Sequence, residues 1–148
     1  MIIVEDISGE IFGARSADCA AFMHIRPEPA EIDVHGHVNN AIYLFWVQDI
    51  AIRHWERISA HDGLSDLTWI ILKHNIEYRD EIRLGDDVEI KTWLGSAKGP
   101  RMTRFVSIRK FGAKRFAAHV ETEWCCLDVH SRKPRRAQPA LDRFWSET

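Results

Sequence analysis

The densest run of residues able to do chemistry is Asp33-Val34-His35-Gly36-His37-Val38-Asn39-Asn40. Its carboxylate can deprotonate water or attack a carbonyl carbon directly, while the amides of a helix's first turn are unpaired donors suited to a developing oxyanion. A helix starting at Asn40 would bring the two close together, and Gly36 lets the backbone approach a ligand with no side chain in the way. Plainer roles stand beside these. Asp33 can bond loop amides, and Asn39 or Asn40 can act as an N-cap. His35-x-His37 is half of a metal site, yet no further Cys, Glu or His lies at ligand spacing. A hydrogen-bonded histidine pair, and no metal, is expected there.

The element that must position this run is a helix. From Asn40 to about Ile58, Leu44, Val47, Ala51, Trp55 and Ile58 recur at helical spacing, and Tyr43, Trp46 and Ile50 widen the stripe. So apolar a first half predicts a helix surrounded by other structure. Past His61-Asp62-Gly63 the period becomes two. Ile70, Leu72, His74, Ile76 and Tyr78 are expected on one face of a strand, with a turn at Gly85-Asp86-Asp87. Val88, Ile90, Thr92 and Leu94 continue on a second strand. A turn over Gly95 to Pro100 leads to a β-like run from Arg101 to Phe111. Phe116, Ala118, Val120, Thr122 and Trp124 then share one face of a long strand.

Together with Ala20 to Arg26 ahead of the helix, this predicts an α+β fold. About five antiparallel strands would wrap one long apolar helix in a single domain spanning residues 1–148, with a short terminal helix near Pro139 to Phe144. A half-apolar sheet around one helix leaves an edge and a face uncovered, which predicts a homodimer or homotetramer.

Composition narrows the function classes. The chain has 148 residues, with 20 Lys+Arg against 22 Asp+Glu, so its formal charge of −2 argues against the broad attraction used in nonspecific nucleic-acid or membrane binding. Met1 to Gly13 carries acids where a leader would be basic, and the longest apolar run, Ala41 to Val47, is far short of a membrane span. Cys19, Cys125 and Cys126 show no CxxC spacing and read as reduced, buried thiols of a cytoplasmic protein. Trp46, Trp55, Trp69, Trp93 and Trp124 have no accompanying basic stripe, so packing is expected of them rather than base stacking. Gly-x-Ser-x-Gly, a phosphate-binding glycine loop and the dinucleotide fingerprint are all absent.

Asp33-x-x-Gly36-His37-Val38-Asn39-Asn40-x-x-Tyr43, followed by an aromatic-rich helix, resembles the hotdog-fold acyl-thioester hydrolases of the 4-hydroxybenzoyl-CoA thioesterase type and their acyl-ACP thioesterase relatives. Ile76-Glu77-Tyr78 and Leu84-Gly85-Asp86-Asp87-Val88-Glu89-Ile90-Lys91-Thr92-Trp93 extend the likeness over roughly residues 20 to 130. The resemblance implies hydrolysis of acyl-CoA or acyl-ACP to acid and thiol without metal or nicotinamide cofactor. It places Asp33 on the catalytic carboxylate, as general base or nucleophile, the Asn40 N–H on the oxyanion donor, and His37 on a histidine of the acyl-ACP branch. His35, Gln48 and Glu81 depart from residues common in that family. The phosphates of CoA would then need counter-charges, expected from Lys98, Arg101 and the Arg132 to Arg136 run, Arg135 and Arg136 included. A hotdog hydratase and a noncatalytic acyl-thioester-binding module are the alternatives.

Overall fold

The protein is described by a computed structural model covering residues 1–12, 14–60, 64–137 and 142. Its strands are β1 (Ile2–Gly9), β2 (Ala21–Arg26), β3 (Leu67–Tyr78), β4 (Val88–Lys98), β5 (Arg101–Lys110) and β6 (Ala118–Asp128), and its helix α1 is Ile42–Ser59. They form one antiparallel sheet in the order β1-β2-β4-β5-β6-β3. Six strands replace the expected five. The additional one, β1, escapes a pattern search because Ile2, Ile3 and Val4 are exposed on an edge strand and Ile7 is its one buried side chain.

Cross-strand register explains how the sheet receives the helix. Met23, Ile90, Ile108 and Ala118 line up across β2, β4, β5 and β6, and Ala21, Thr92, Val106 and Val120 form the next row on the same face. Tyr43, Trp46, Val47 and Ile50 of α1 pack onto these rows in the main core. The buried stripe of α1 is thus Tyr43, Trp46/Val47, Ile50/Ala51, His54 and Ile58, rotated from the expected Leu44–Trp55 line, and the helix is not enclosed: Phe45 and Ile52 are exposed. A sheet covers one side of a helix, so the opposite face of a monomer stays open.

Three further expectations are corrected. A bulge between Ile71 and Lys73 on β3 resets its side-chain alternation, leaving Ile70 and Leu72 exposed while Trp69 packs against the second apolar cluster. The predicted turn from Gly95 to Pro100 shrinks to Gly99-Pro100, because β4 continues to Lys98 in register with Arg101. Cys19 is exposed, unlike Cys125 and Cys126, and all three are free thiols. The proposed helix at Pro139 to Phe144 lies, apart from Asp142, outside the described residues. Among the described residues no helix is long and apolar enough to cross a membrane.

Candidate active site

The loop ahead of α1 is built by backbone pairing. Ile32 bridges Val38, Asp33 N–H donates to His37 O (3.0 Å) and Gly36 N–H to Asp33 O (3.1 Å), closing a small loop over residues 33–37. Gly36 takes φ +84°, a left-handed conformation, with open space where a Cβ would stand, so conformation alone favours glycine. Asp33 is half-buried, and its Oδ1 accepts from His35 N–H at 2.9 Å. This loop-amide role does not preclude a chemical one, because a carboxylate has a second oxygen.

Around the helix start the amides of Val38, Asn39, Ala41 and Ile42 are engaged, respectively by Ile82 O, Glu31 O, Asn39 Oδ1 and Asn39 O. The Asn40 N–H between them has no hydrogen-bond partner among the described residues. Asn39 holds the turn that leads into the helix, and α1 proper starts at Ile42, two residues later than expected, with Ala41 at the N-cap position. The segment is anchored from three sides. Glu31 Oε2 accepts from Trp46 Nε1 (2.8 Å), Tyr78 OH donates to Asn40 O (2.9 Å), and Tyr43 bonds the Ile82 backbone while burial pushes its phenol up to about 12. Glu31 and Ile82 were not expected at the site, since their contributions come from a loop carboxylate and a carbonyl that carry no motif.

The histidines stack with ring centres 6.0 Å apart. His37 Nδ1 lies 3.3 Å from Val38 O and its Nε2 is 3.9 Å from Glu81 Oε2, while His35 is exposed. Among the described residues no group of three or more His, Cys, Asp or Glu could hold a metal ion. Gln48 is exposed on α1, and Asp49 is taken up by Arg53 (2.7 Å), which also pairs with Asp6 (3.1 Å).

The expected phosphate-binding residues lie elsewhere in the same chain. Lys98 and Arg101 face each other at the β4–β5 turn and line a cavity of about 400 Å³ with Ser96, Thr103 and Glu123. Arg101 pairs with Glu123 (2.8 Å). Arg135 joins that corner of the sheet: its N–H donates to Cys126 O (2.9 Å), Cys126 N–H donates to Pro100 O (2.8 Å), and its guanidinium pairs with Asp128 (3.2 Å). Arg136 is exposed nearby in sequence. The Asp33 loop meets the opposite end of the strands, at Tyr78, so roughly 25–30 Å of strand separates the two sets at ~3.3 Å per residue.

Sequence reasoning also passed over a buried polar group on the sheet's inner face, Arg104 with His54 and Thr92. The signal was present: Arg104 shares the parity of Met102, Val106 and Ile108, and His54 sits on the buried stripe of α1.

Known proteins share this fold. The fold is that of YbaW of Escherichia coli (21% identity, TM-score 0.71, covering 83% of this chain and 94% of that one). It is also that of the DHNA-CoA thioesterase of Staphylococcus aureus (20%, 0.70, 85% and 88%). A further S. aureus protein, solved in complex with CoA, shares it as well (16%, 0.71, 85% and 81%). These likenesses establish the hotdog architecture. No curated protein matches the chain. The family model of the thioesterase-like superfamily matches residues 27–144, most of the chain, and the protein therefore belongs to that superfamily, a thioester hydrolase by class.

Proposed function

We propose that this protein is an acyl-CoA thioesterase in which Asp33 and the Asn40 N–H form the reacting site. The free Asn40 amide carries the reading: its neighbours on both sides are committed to protein acceptors, and it lies just ahead of α1 at the end of the segment that also holds the Asp33 carboxylate. The carbonyl oxygen of R–CO–S–CoA accepts from this amide, which strengthens as the oxygen becomes an oxyanion. Asp33 takes a proton from the water that attacks the carbonyl carbon, or attacks it itself to give a mixed anhydride that water then opens. In either course the C–S bond breaks, the thiolate gains a proton, and acid and free CoA leave. His37 orients the loop or the substrate. Free thiols, two of them buried on β6, suit a cytoplasmic setting. Following free thiol release from a panel of acyl-CoAs tests the activity; a folded protein that releases none from any of them overturns it.

The same reading calls for a second copy. β3 is a free edge of twelve residues, pairing with β6 on one side, and it exposes Ile70 and Leu72. Two β3 edges paired antiparallel about a two-fold axis would set the Tyr78 end of one copy against the Leu67 end of the other. The Asp33 loop of one copy would then face the basic corner of its partner, bridging the separation found within a single chain. Light scattering is expected to give at least a dimer of the 17.2 kDa chain, and Leu72→Lys to shift it toward monomer with loss of turnover. A fully active monomer at micromolar concentration would rule the arrangement out.

Replacing Arg135 and Arg136 together is expected to raise KM for acyl-CoA with little change in kcat, the signature of lost uniform binding. Equal KM values in variant and wild type would clear both residues.

A further inference from the structure

Among the described residues, Arg104 is a buried cation without a counter-ion. Only 6% exposed, it lies on the inner face of β5 between Leu94 of β4 and Thr122 of β6. Its Nη1 donates to His54 Nδ1 and Thr92 Oγ1, both at 2.9 Å. Those acceptors are themselves fixed, because His54 Nε2–H donates to Ile11 O and Thr92 Oγ1–H to Phe105 O. Both partners are neutral, and no ion pair holds Arg104 among the described residues. Burial pushes its guanidinium down to about 9, which leaves it protonated at neutral pH. Charges this deep are ordinarily paired.

The same arginine lines a cavity of about 250 Å³ between the second half of α1 and the inner face of β3 to β6. Trp55, Trp69, Trp124, Leu94 and Met102 supply its apolar walls, and Glu56 stands exposed at its rim. The indole N–H groups of Trp69 and Trp124 are both buried with no acceptor among the described residues. One cation and two tryptophans that carry unpaired donors therefore line one apolar chamber, a combination that native interiors avoid unless something else supplies the acceptors. An apolar ligand alone would leave the Arg104 charge unpaired and both indoles unsatisfied, and an inorganic anion would leave the tryptophan walls empty. We propose that this cavity binds an organic carboxylate with an aromatic or similarly apolar body, the carboxylate held by Arg104 and the indole N–H groups and the body packed on the tryptophans.

The lining residues Ala51 to Glu56 lie nine to fourteen positions beyond Ile42, about 14–21 Å along the helix at 1.5 Å per residue. The cavity is thus separate from the Asp33 loop of its own chain. Two sources can present the ligand: the far end of an acyl group delivered as its thioester to the proposed intersubunit site, or a free acid. The first source rests on the thioesterase reading; the binding site does not.

Calorimetric titration with 2-naphthoate and with neutral 2-naphthylmethanol tests the site on the full-length protein. The acid is expected to bind at least about tenfold more tightly, as one charge-assisted hydrogen bond would give, and Arg104→Gln to remove that preference. Trp69→Phe and Trp124→Phe, which keep an aromatic ring and lose the N–H, are expected to weaken the acid selectively, and they decide the matter if Arg104→Gln does not fold. Equal affinity for acid and alcohol, or a preference that survives all three substitutions, overturns the proposal. Thiol release from a carboxylate-ended aryl-CoA and its uncharged counterpart then separates the sources. A kcat/KM advantage lost in Arg104→Gln assigns the substrate, and no advantage assigns a free acid. Absence of turnover with every thioester would defeat the hydrolase reading, while the titration would still decide whether the cavity binds the acid.

Discussion

Asp33→Asn is expected to lower kcat by about 10²–10⁴ while leaving the fold and KM nearly unchanged, the range for losing a positioned base. Asparagine keeps an Oδ1 able to accept from His35 N–H, so the bond that shapes the loop survives the substitution. The backbone pairings of Asp33 with His37 and Gly36 do not involve its side chain and also persist. What disappears is the charge and the second carboxylate oxygen, whether the group abstracts a proton or attacks the carbonyl. His37→Ala is expected to cost less, since its nearest polar neighbours, Val38 O and Glu81, belong to the scaffold. Circular dichroism would establish the fold, and steady-state thiol release the rates. A correctly folded Asp33→Asn protein retaining more than about a tenth of wild-type kcat would sink this mechanism.

Acidification is expected to destabilise the protein well above the carboxylate range, through His54. The side chain is fully buried, with Nε2–H given to Ile11 O and Nδ1 accepting from the Arg104 guanidinium. A second ring proton would sit on Nδ1, facing a donor and a positive charge. Burial first, and then Arg104, push its pKa down to about 3 from an ordinary 6.5. The unfolded chain therefore binds a proton between about pH 6.5 and 3 that the folded chain refuses, and stability falls as pH falls through that window. At pH 5 the loss amounts to about 2 kcal/mol relative to pH 7. His74, depressed by burial, adds in the same direction, whereas the lowered carboxylates of Asp87 and Asp128 contribute stability that is lost only below their ordinary range. Denaturant midpoints at pH 7 and pH 5 would measure the drop, and His54→Gln should flatten it even if that variant is less stable throughout. An equal pH response in both proteins would mean that His54 is not held neutral.

Much of the fold was readable because its cause is local. The period-two runs through Val88–Leu94 and Ala118–Thr122 have side chains that alternate by backbone geometry, and their buried faces in the sheet are the expected ones. The long apolar stripe gave the helix its place and approximate length, and the Asp33 to Asn40 run could be singled out by residue type and spacing. Tertiary structure decided what depended on partners distant in the chain. Strand β1 owes its existence to pairing with β2, since its own pattern is weak. The bulge at Leu72 is a mismatch between β3 and β6 that neither strand shows alone, and it determines that Trp69 rather than Ile70 joins the packed side. The open Asn40 amide follows from its neighbours Val38, Asn39, Ala41 and Ile42 taking up the acceptors around it, Ile82 O, Glu31 O and the two oxygens of Asn39. The basic residues and Asp33 proved to lie at opposite ends of the sheet, because antiparallel strands carry neighbours in sequence far apart and return distant ones to the same corner. Arg104, His54 and Thr92 meet for the same reason: a sequence states which residues are apolar or charged, but the choice of which polar ones are enclosed together is made by packing.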